Sequence, residues 1–153
     1  KVESADEMYQ HVMTYFPNAD VVIKSAAVAD YRPIHTFEQK MKKSQDHLVI
    51  EMEKTTDILK ELGRQKKQQI LVGFAAETND LEQYAKKKLQ SKNLDLIVAN
   101  NITTEGAGFG TDTNIVTIYD RNLTKTELPL LTKTEVARKL LEKVRSLVKG
   151  VKE

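Results

Sequence analysis

The sequence of 153 residues contains no cysteine. That excludes disulfides, thiolate nucleophiles and cysteine-held zinc or iron–sulfur centres together, and it is compatible with a reducing compartment. No charge excess of either sign is present: 24 basic residues stand against 22 acidic ones, a formal net charge of +2. A dedicated nucleic-acid binder usually carries a large basic surplus, so that class is disfavoured. No apolar run approaches the roughly 20 residues that a membrane span needs, and no secretory leader pattern is visible. The expectation is a cytoplasmic protein without membrane contact. Two tripeptides, at 101–103 and 122–124, match the glycosylation pattern, but without export they read as coincidence. His11, His35 and His47 lack metal-ligand spacing, His11 falls on a helix surface, and no Ser-His-Asp grouping can be assembled. No internal repeat or low-complexity segment occurs.

What is present is an alternation of strand and helix signals, in a chain long enough to bury one core without staples. Ser4 followed by Glu7 is a capping box, and Ala5, Met8, Tyr9, Val12, Met13 and Phe16 recur behind it at helical spacing until Pro17-Asn18. The run from Ala19 to Val28, centred on Val21, Val22 and Ile23, reads as a buried strand. Residues 29–46 are polar and irregular. From His47 to Glu53, alternation predicts a half-exposed strand with Leu48, Ile50 and Met52 inward. Thr55 or Thr56 is expected to open a short helix to about Leu62. Gln69 to Ala76 and Leu94 to Ala99 are further apolar strands, separated by a helix that Asn79 can cap and that runs from Asp80 to about Lys92. A Gly/Thr-rich loop spans 101–113. Asn114 to Tyr119 and Glu127 to Leu131 predict an antiparallel pair around Asp120-Arg121-Asn122. A second capping box, Thr132 with Glu135, starts a last helix with Val136, Leu140, Leu141, Val144 and Leu147 on one face. These elements predict one α/β domain: doubly wound, Rossmann-like, with a mostly parallel sheet and a C-terminal antiparallel pair. In such sheets ligands bind at the carboxyl ends of the strands, which should gather the loops 24–32, 73–79 and 99–114 on one edge.

Four features there have a chemical as well as a bland reading. Lys88 and Lys92 fall within the apolar arc of their helix, which suggests an anion against the sheet edge, or lysines that snorkel to water. Lys40-Met41-Lys42-Lys43 lies in a loop and is either a ligand-reaching or a solvated charge run. Ala26-Ala27-Val28-Ala29-Asp30 ends a strand in small residues, which lets a ligand approach the backbone; Asp30 then meets a ribose hydroxyl or cation, or pairs with Arg32. Gly73 to Thr78 is another small-residue strand end, where Phe74 flanks a base or fills the core. Gly106 to Gly110 lacks the strand-before, helix-after context of a phosphate loop and reads as a turn. Together the four suggest a site for a polyanionic nucleotide.

In order and spacing, the segments Ala26–Arg32 (AAVADYR), Lys40–Lys43 (KMKK), Gly73–Thr78 (GFAAET), Lys88–Asn101 (KLQSKNLDLIVANN) and Phe109–Asn114 (FGTDTN) resemble the bacterial phosphopantothenoylcysteine synthetase family. The resemblance runs from about Val2 to about Val144. It implies activation of 4′-phosphopantothenate by CTP to an acyl-cytidylate, then attack by the amino group of L-cysteine with loss of CMP. It implies nucleotide contacts from the backbone of Lys24, Ser25 and Ala26, from Asp30, from the stretch Thr56, Asp57, Ile58 and Leu59 (Thr standing where the family often has Pro), and from Phe74, Lys88 and Lys92. Lys40 matches the lysine of the activation step and Ala27 a contact of the acyl intermediate. Magnesium carried on the phosphates, with no dedicated protein cluster, and a homodimer are implied as well. In many bacterial relatives a flavin-dependent decarboxylase domain precedes this one. The family's Gly-rich opening strand–loop–helix, with its asparagine and arginine, is not in this sequence. An upstream segment is therefore expected, as Lys1 also suggests by standing inside an element, and the chain alone is expected to bind CTP yet ligate poorly. The rival from another class is a nucleotide-binding regulatory module without chemistry. A Rossmann oxidoreductase is disfavoured for want of a placed GxGxxG.

Overall fold

The structure, a computed structural model, describes residues 1–37, 39, 47–77, 81–101 and 110–151. Helix α1 (Ala5–Tyr15) begins where expected, with the Ser4 hydroxyl accepting from the Glu7 N–H at 3.1 Å. A 3-10 turn at Phe16–Asn18 ends it and buries Phe16. A five-stranded sheet follows. Its strands are β1 (Val21–Lys24), β4 (Ile70–Glu77), β5 (Leu96–Asn101), β7 (Val116–Asp120) and β8 (Lys125–Glu127), adjacent in that order. β1, β4 and β5 run parallel, and β7 is antiparallel to both its neighbours. Two short ribbons flank the sheet: β2 (Tyr31–Pro33) with β3 (Met52–Lys54), and β6 (Thr113–Asn114) with β9 (Leu131–Thr132).

The strand period of two divides the sheet into two apolar faces. On one, α1, α2 (Ile58–Gln65) and α3 (Leu81–Ser91) pack Phe16, Ile58, Leu62, Ala85 and Leu89 against Leu71, Ala75 and Ile97. On the other, α4 (Lys133–Val151) lays Val136, Leu140 and Val144 on Ile70, Val72, Leu96, Val98 and Ile118. Helices thus cover both faces, and the doubly wound α/β architecture holds. The Thr132 capping box forms reciprocally: Thr132 N–H donates to Glu135 at 2.8 Å and Glu135 N–H to the Thr132 hydroxyl at 3.2 Å.

Several expectations need correction. Among the described residues β1 is an edge strand flanked by β4 alone, with Val21 and Val22 half-buried and Ile23 exposed, rather than a buried one. Strand β2 occupies part of the stretch read as irregular. The alternation at 47–53 yields only β3, and Leu48, Ile50 and Met52 point away from the core, with 65%, 58% and 48% of their surface exposed. They lie on or beside the separate two-stranded β2–β3 ribbon, and among the described residues no layer covers them. Helix α2 is capped by Asp57 rather than Thr55 or Thr56. The antiparallel pair forms, but its second strand is Lys125–Glu127, before the expected 127–131. Leu141 is exposed; it is five residues beyond Val136, well off the buried stripe. The Asn79 cap lies outside the described residues.

The opposite end of the sheet is closed by a half-buried ion cluster. The Asp95 carboxylate accepts from the Leu71 N–H at 2.7 Å, from Arg121 at 2.6 Å and from the buried Lys66 ammonium. Burial pulls the Lys66 ammonium below its ordinary pKa while the hydrogen bond to Asp95 resists. The cluster stands at the amino ends of β4 and β5, opposite the strand tips.

Candidate functional site

At the carboxyl ends of β1 and β4 lies a pocket of about 420 Å³. Two loops, a strand tip and a helix supply most of its wall. Residues 24–30, leaving β1, supply Lys24, Ser25, Ala26, Ala27 and Asp30; the entry to α2 supplies Thr55, Thr56, Asp57, Ile58 and Leu59. The tip of β4 supplies Phe74, Ala75 and Ala76, and α3 with the residue after it supplies Lys88 and Lys92. Every site residue expected from the sequence is in this wall except Lys40, which with the rest of 40–43 lies outside the described residues.

The first two loops are tied together. Thr55 N–H donates to the Asp30 carbonyl at 2.9 Å and the Thr55 hydroxyl to the Ala29 carbonyl at 2.6 Å. Asp57 then turns the chain into α2: one carboxylate oxygen accepts from the Lys60 N–H at 3.1 Å, the normal N-cap bond. The other oxygen accepts from the Lys92 ammonium at 2.8 Å. Lys92 is brought there by a close helix contact. A Cβ on Gly63 would stand 1.9 Å from the Lys92 carbonyl oxygen, so only glycine lets α2 approach the end of α3 this closely. Asn93, with φ of 50°, turns the chain off α3 and donates from its side chain to the Gly63 carbonyl at 3.0 Å.

Alternation along the strands sets which groups share a side. Lys24 follows the half-buried Val22 toward α2 and α3, where Lys88 and Lys92 also stand. Phe74 and Ala76 follow Val72 to the side of α4, and Asn100 is paired in register with Ala76 there. The pocket straddles the strand tips, with the ammonium groups on one side and an aromatic ring on the other. Phe74 is 38% exposed, so the reading of it as a core residue falls. So does the Asp30–Arg32 pairing: Arg32 bonds instead to Glu53 at 2.8 Å and to Asp6.

Charge is tuned by this crowding. Burial, then repulsion from Lys92, lowers the Lys24 pKa below its ordinary value, against the pull of Asp57 and Asp30. Burial alone would raise the Asp57 carboxyl; the hydrogen bonds from Lys92 and the Lys60 N–H, with the charges of Lys92 and Lys24, outweigh it and hold that carboxyl below its ordinary value. Thr55, Asn100 and Asn114 also line the pocket and were not singled out from sequence. Asn100 had a signal, a polar residue ending the apolar run Leu96–Ala99. Its Oδ1 is buried and, among the described residues, accepts no hydrogen bond. No group of three or more metal-ligating side chains occurs among the described residues.

Residues 1–148 match the family described as the DNA/pantothenate metabolism flavoprotein C-terminal domain. The chain belongs to this family. It is 53% identical over 148 residues to the coenzyme A biosynthesis bifunctional protein CoaBC of Bacillus subtilis (strain 168), spanning 97% of this chain and 36% of that protein. Against the protein of the same name from Vibrio vulnificus (strain YJ016) it is 42% identical over 150 residues, 96% of this chain and 37% of that one. The chain therefore spans little more than a third of the curated relatives it matches. A crystal structure of the C-terminal domain of a CoaBC protein superposes with a TM-score of 0.80 at 46% identity, covering 97% of this chain and 65% of that one. A Cab2 H337A variant in complex with phosphopantothenate-cysteine shares the fold, with a TM-score of 0.72 at 14% identity, over 99% of this chain and 54% of the other.

Proposed function

We propose that this chain carries the nucleotide-binding part of a phosphopantothenate–cysteine ligase that uses CTP. The observation that carries the reading is the pocket at the strand tips, where Lys24, Lys88 and Lys92 stand beside Asp30 and Phe74 in a chain 53% identical to part of a bifunctional coenzyme A biosynthesis protein. A triphosphate brings about four negative charges, and charge-assisted bonds to it are the strong kind. In the reaction proposed, a carboxylate oxygen of 4′-phosphopantothenate attacks the α-phosphorus of CTP and pyrophosphate leaves. The amine of L-cysteine then attacks the acyl carbon, loses a proton, and CMP departs with the acyl C–O bonding pair. The lysines stabilise charge that develops on the leaving phosphates. Asp30 takes a ribose hydroxyl, Phe74 flanks the base, and the backbone of Lys24, Ser25 and Ala26, with the entry to α2, shapes the nucleotide seat around Thr56, Ile58 and Leu59. Ala27 faces the acyl group. Lys40 assists activation.

Two carboxylates, Asp30 and Asp57, line the pocket. Asp30 is assigned to the ribose and both oxygens of Asp57 are engaged, by the Lys60 N–H and by Lys92, so magnesium would be carried on the nucleotide phosphates, keeping several waters. Bound there, the ion would neutralise phosphate charge. The chain is further proposed to form a homodimer through its β2–β3 hairpin, to act in the cytoplasm, and to work beside a decarboxylase domain in the longer protein. Among the described residues no helix is long and apolar enough to cross a membrane.

The decisive experiment is pyrophosphate release from CTP with 4′-phosphopantothenate, using the longer protein that contains this chain. Lys40→Ala is expected to slow release at least ~10²-fold, the usual scale for a group that stabilises transition-state charge. Lys88→Ala is expected to raise KM for CTP. Wild-type rates in both variants would reject the assignment, and nucleotide binding without any pyrophosphate release would favour a regulatory module.

A further inference from the structure

The short segment from Lys92 to Asp95 holds helix α2 at three points. At the head, the Lys92 ammonium reaches the Asp57 carboxylate at 2.8 Å, and that carboxylate caps the helix. Near the end, the Lys92 carbonyl passes over Gly63, and the Asn93 side chain donates to the Gly63 carbonyl at 3.0 Å. Beyond the tail, the Lys66 ammonium donates to the Asn93 carbonyl at 3.3 Å and to the Asp95 carboxylate. Asp95 is itself tied to the start of β4: it accepts from the Leu71 N–H at 2.7 Å, and its own N–H donates to the Leu71 carbonyl at 2.9 Å.

Lys66 has no place in the wall of the pocket at the strand tips. Only 5% of its side chain is exposed, and an ammonium taken out of water is costly unless it is paired and hydrogen-bonded. Asp95 has other donors, the Leu71 N–H and Arg121. What Lys66 adds is the bond to the Asn93 carbonyl, inside the turn where Asn93, at φ 50°, leads the chain off α3. We propose that Lys66 and Asn93 form a positioning pair for the nucleotide site. By pinning the turn after α3 to the tail of α2, they hold the preceding residue, Lys92, where its ammonium meets the head of the same helix. This rests on the nucleotide-binding reading but concerns residues outside the pocket.

The helix acts as a spacer. Its eight residues make a rod about 12 Å long at 1.5 Å per residue. Lys92 cannot slide along that rod without breaking a contact at one end of it. Without Lys66, the turn keeps its bonds to β4 and Gly63 but loses its hold on the tail of α2. Asp57 and Lys92 then remain chemically intact while the ammonium is no longer held in register with the pocket.

The test is pyrophosphate release by the longer protein that contains this chain, with CTP and 4′-phosphopantothenate varied in turn. Lys66→Met keeps the apolar stem and is expected to raise KM for CTP about fivefold, within the range for substitutions that reach a site without touching its ligand. Its kcat and its KM for 4′-phosphopantothenate should change little. Arg121→Gln breaks another bond to the same Asp95 carboxylate, from the turn between β7 and β8, and should leave KM for CTP unchanged. In a Lys92→Ala background Lys66→Met should add no further loss, because residues acting through one contact are not additive. Unchanged KM for CTP in Lys66→Met, an equal rise in Arg121→Gln, or additive losses in the double variant would overturn the proposal while leaving wild-type use of CTP intact. Should Lys66→Met fail to fold, Asn93→Gly takes its place: glycine keeps the positive φ, and the rise in KM for CTP should again vanish with Lys92→Ala. No rise there would overturn the pair. A folded wild type that does not use CTP would overturn both the pair and the reading beneath it.

Discussion

The two oxygens of the Asp57 carboxylate serve different elements, one capping α2 through the Lys60 N–H and the other holding Lys92. Substitution separates the roles. Asn retains the capping oxygen but loses the ion pair with Lys92, so Asp57→Asn should be modestly less stable than wild type near neutral pH, whereas Asp57→Ala, which loses the cap as well, should lose about 1 kcal/mol more, read by urea denaturation. The pH dependence follows from the lowered carboxyl. Its stabilising contribution is complete above the unfolded value of 3.8 and disappears as pH falls through the lower folded value. Asp57→Asn should flatten that acid arm. At this scale legibility depended on reach. The Ser4 and Thr132 caps were readable because donor and acceptor lie three residues apart. The Asp57 cap was assigned to its neighbours because the Thr55 hydroxyl is drawn to the Ala29 carbonyl, 26 residues away in sequence. Asn100 was not legible for the same kind of reason: an acceptor that finds no donor among the described residues is a fact about neighbours.

Helix α3 shows what periodicity can and cannot settle. The placement of Lys88 and Lys92 within an apolar arc was visible in the sequence, and Ala85 and Leu89 beside them are buried. Whether the lysines escape to water depends on what stands opposite, and here it is Asp57 and the strand tips. The height of α3 against α2 is set by Gly63, over which the Lys92 carbonyl passes. Gly63→Ala must push the two helices apart. A loss of about 2–3 kcal/mol is expected, the range for overpacking against atoms that cannot yield, together with weaker CTP binding. Denaturation and titration of the same variant check both, and unchanged stability would mean that the helices are not in contact as described. Conversely, the strand signals at Leu94–Ala99 and Gln69–Ala76 were readable because burial on both faces leaves an unbroken apolar run.

For the molecule as a whole, the doubly wound class was legible from the order of elements, whereas the hairpin was not. Period-two alternation at Leu48, Ile50 and Met52 marks two faces of a ribbon but does not say that either meets a core. In the structure these residues, with Phe37 at 69% and Val49 at 87% exposure, form an apolar surface left uncovered by the other described residues. Patches of this kind mark association sites, which supports the proposed homodimer. Val49→Asp and Ile50→Asp are expected to convert a dimer to monomers in sedimentation equilibrium without lowering the thermal midpoint of the isolated subunit. A monomeric wild type at micromolar concentration would remove the hairpin from consideration. Lys40 falls between the ends of this hairpin in sequence, so its contribution is best measured in the associated protein.

The pocket opens onto the groups of both apolar layers, Lys92 and Leu59 from one and Phe74 and Asn100 from the other. A nucleotide seated there, as proposed, would act as a rivet at the rim of the sheet: it would touch side chains from both faces of the β4 and β5 tips and the entry to α2 at a single point. Amide protons buried under α4 and those buried under α2 should then slow their exchange with solvent in step as the ligand saturates, although the two sets are separated by the thickness of the sheet.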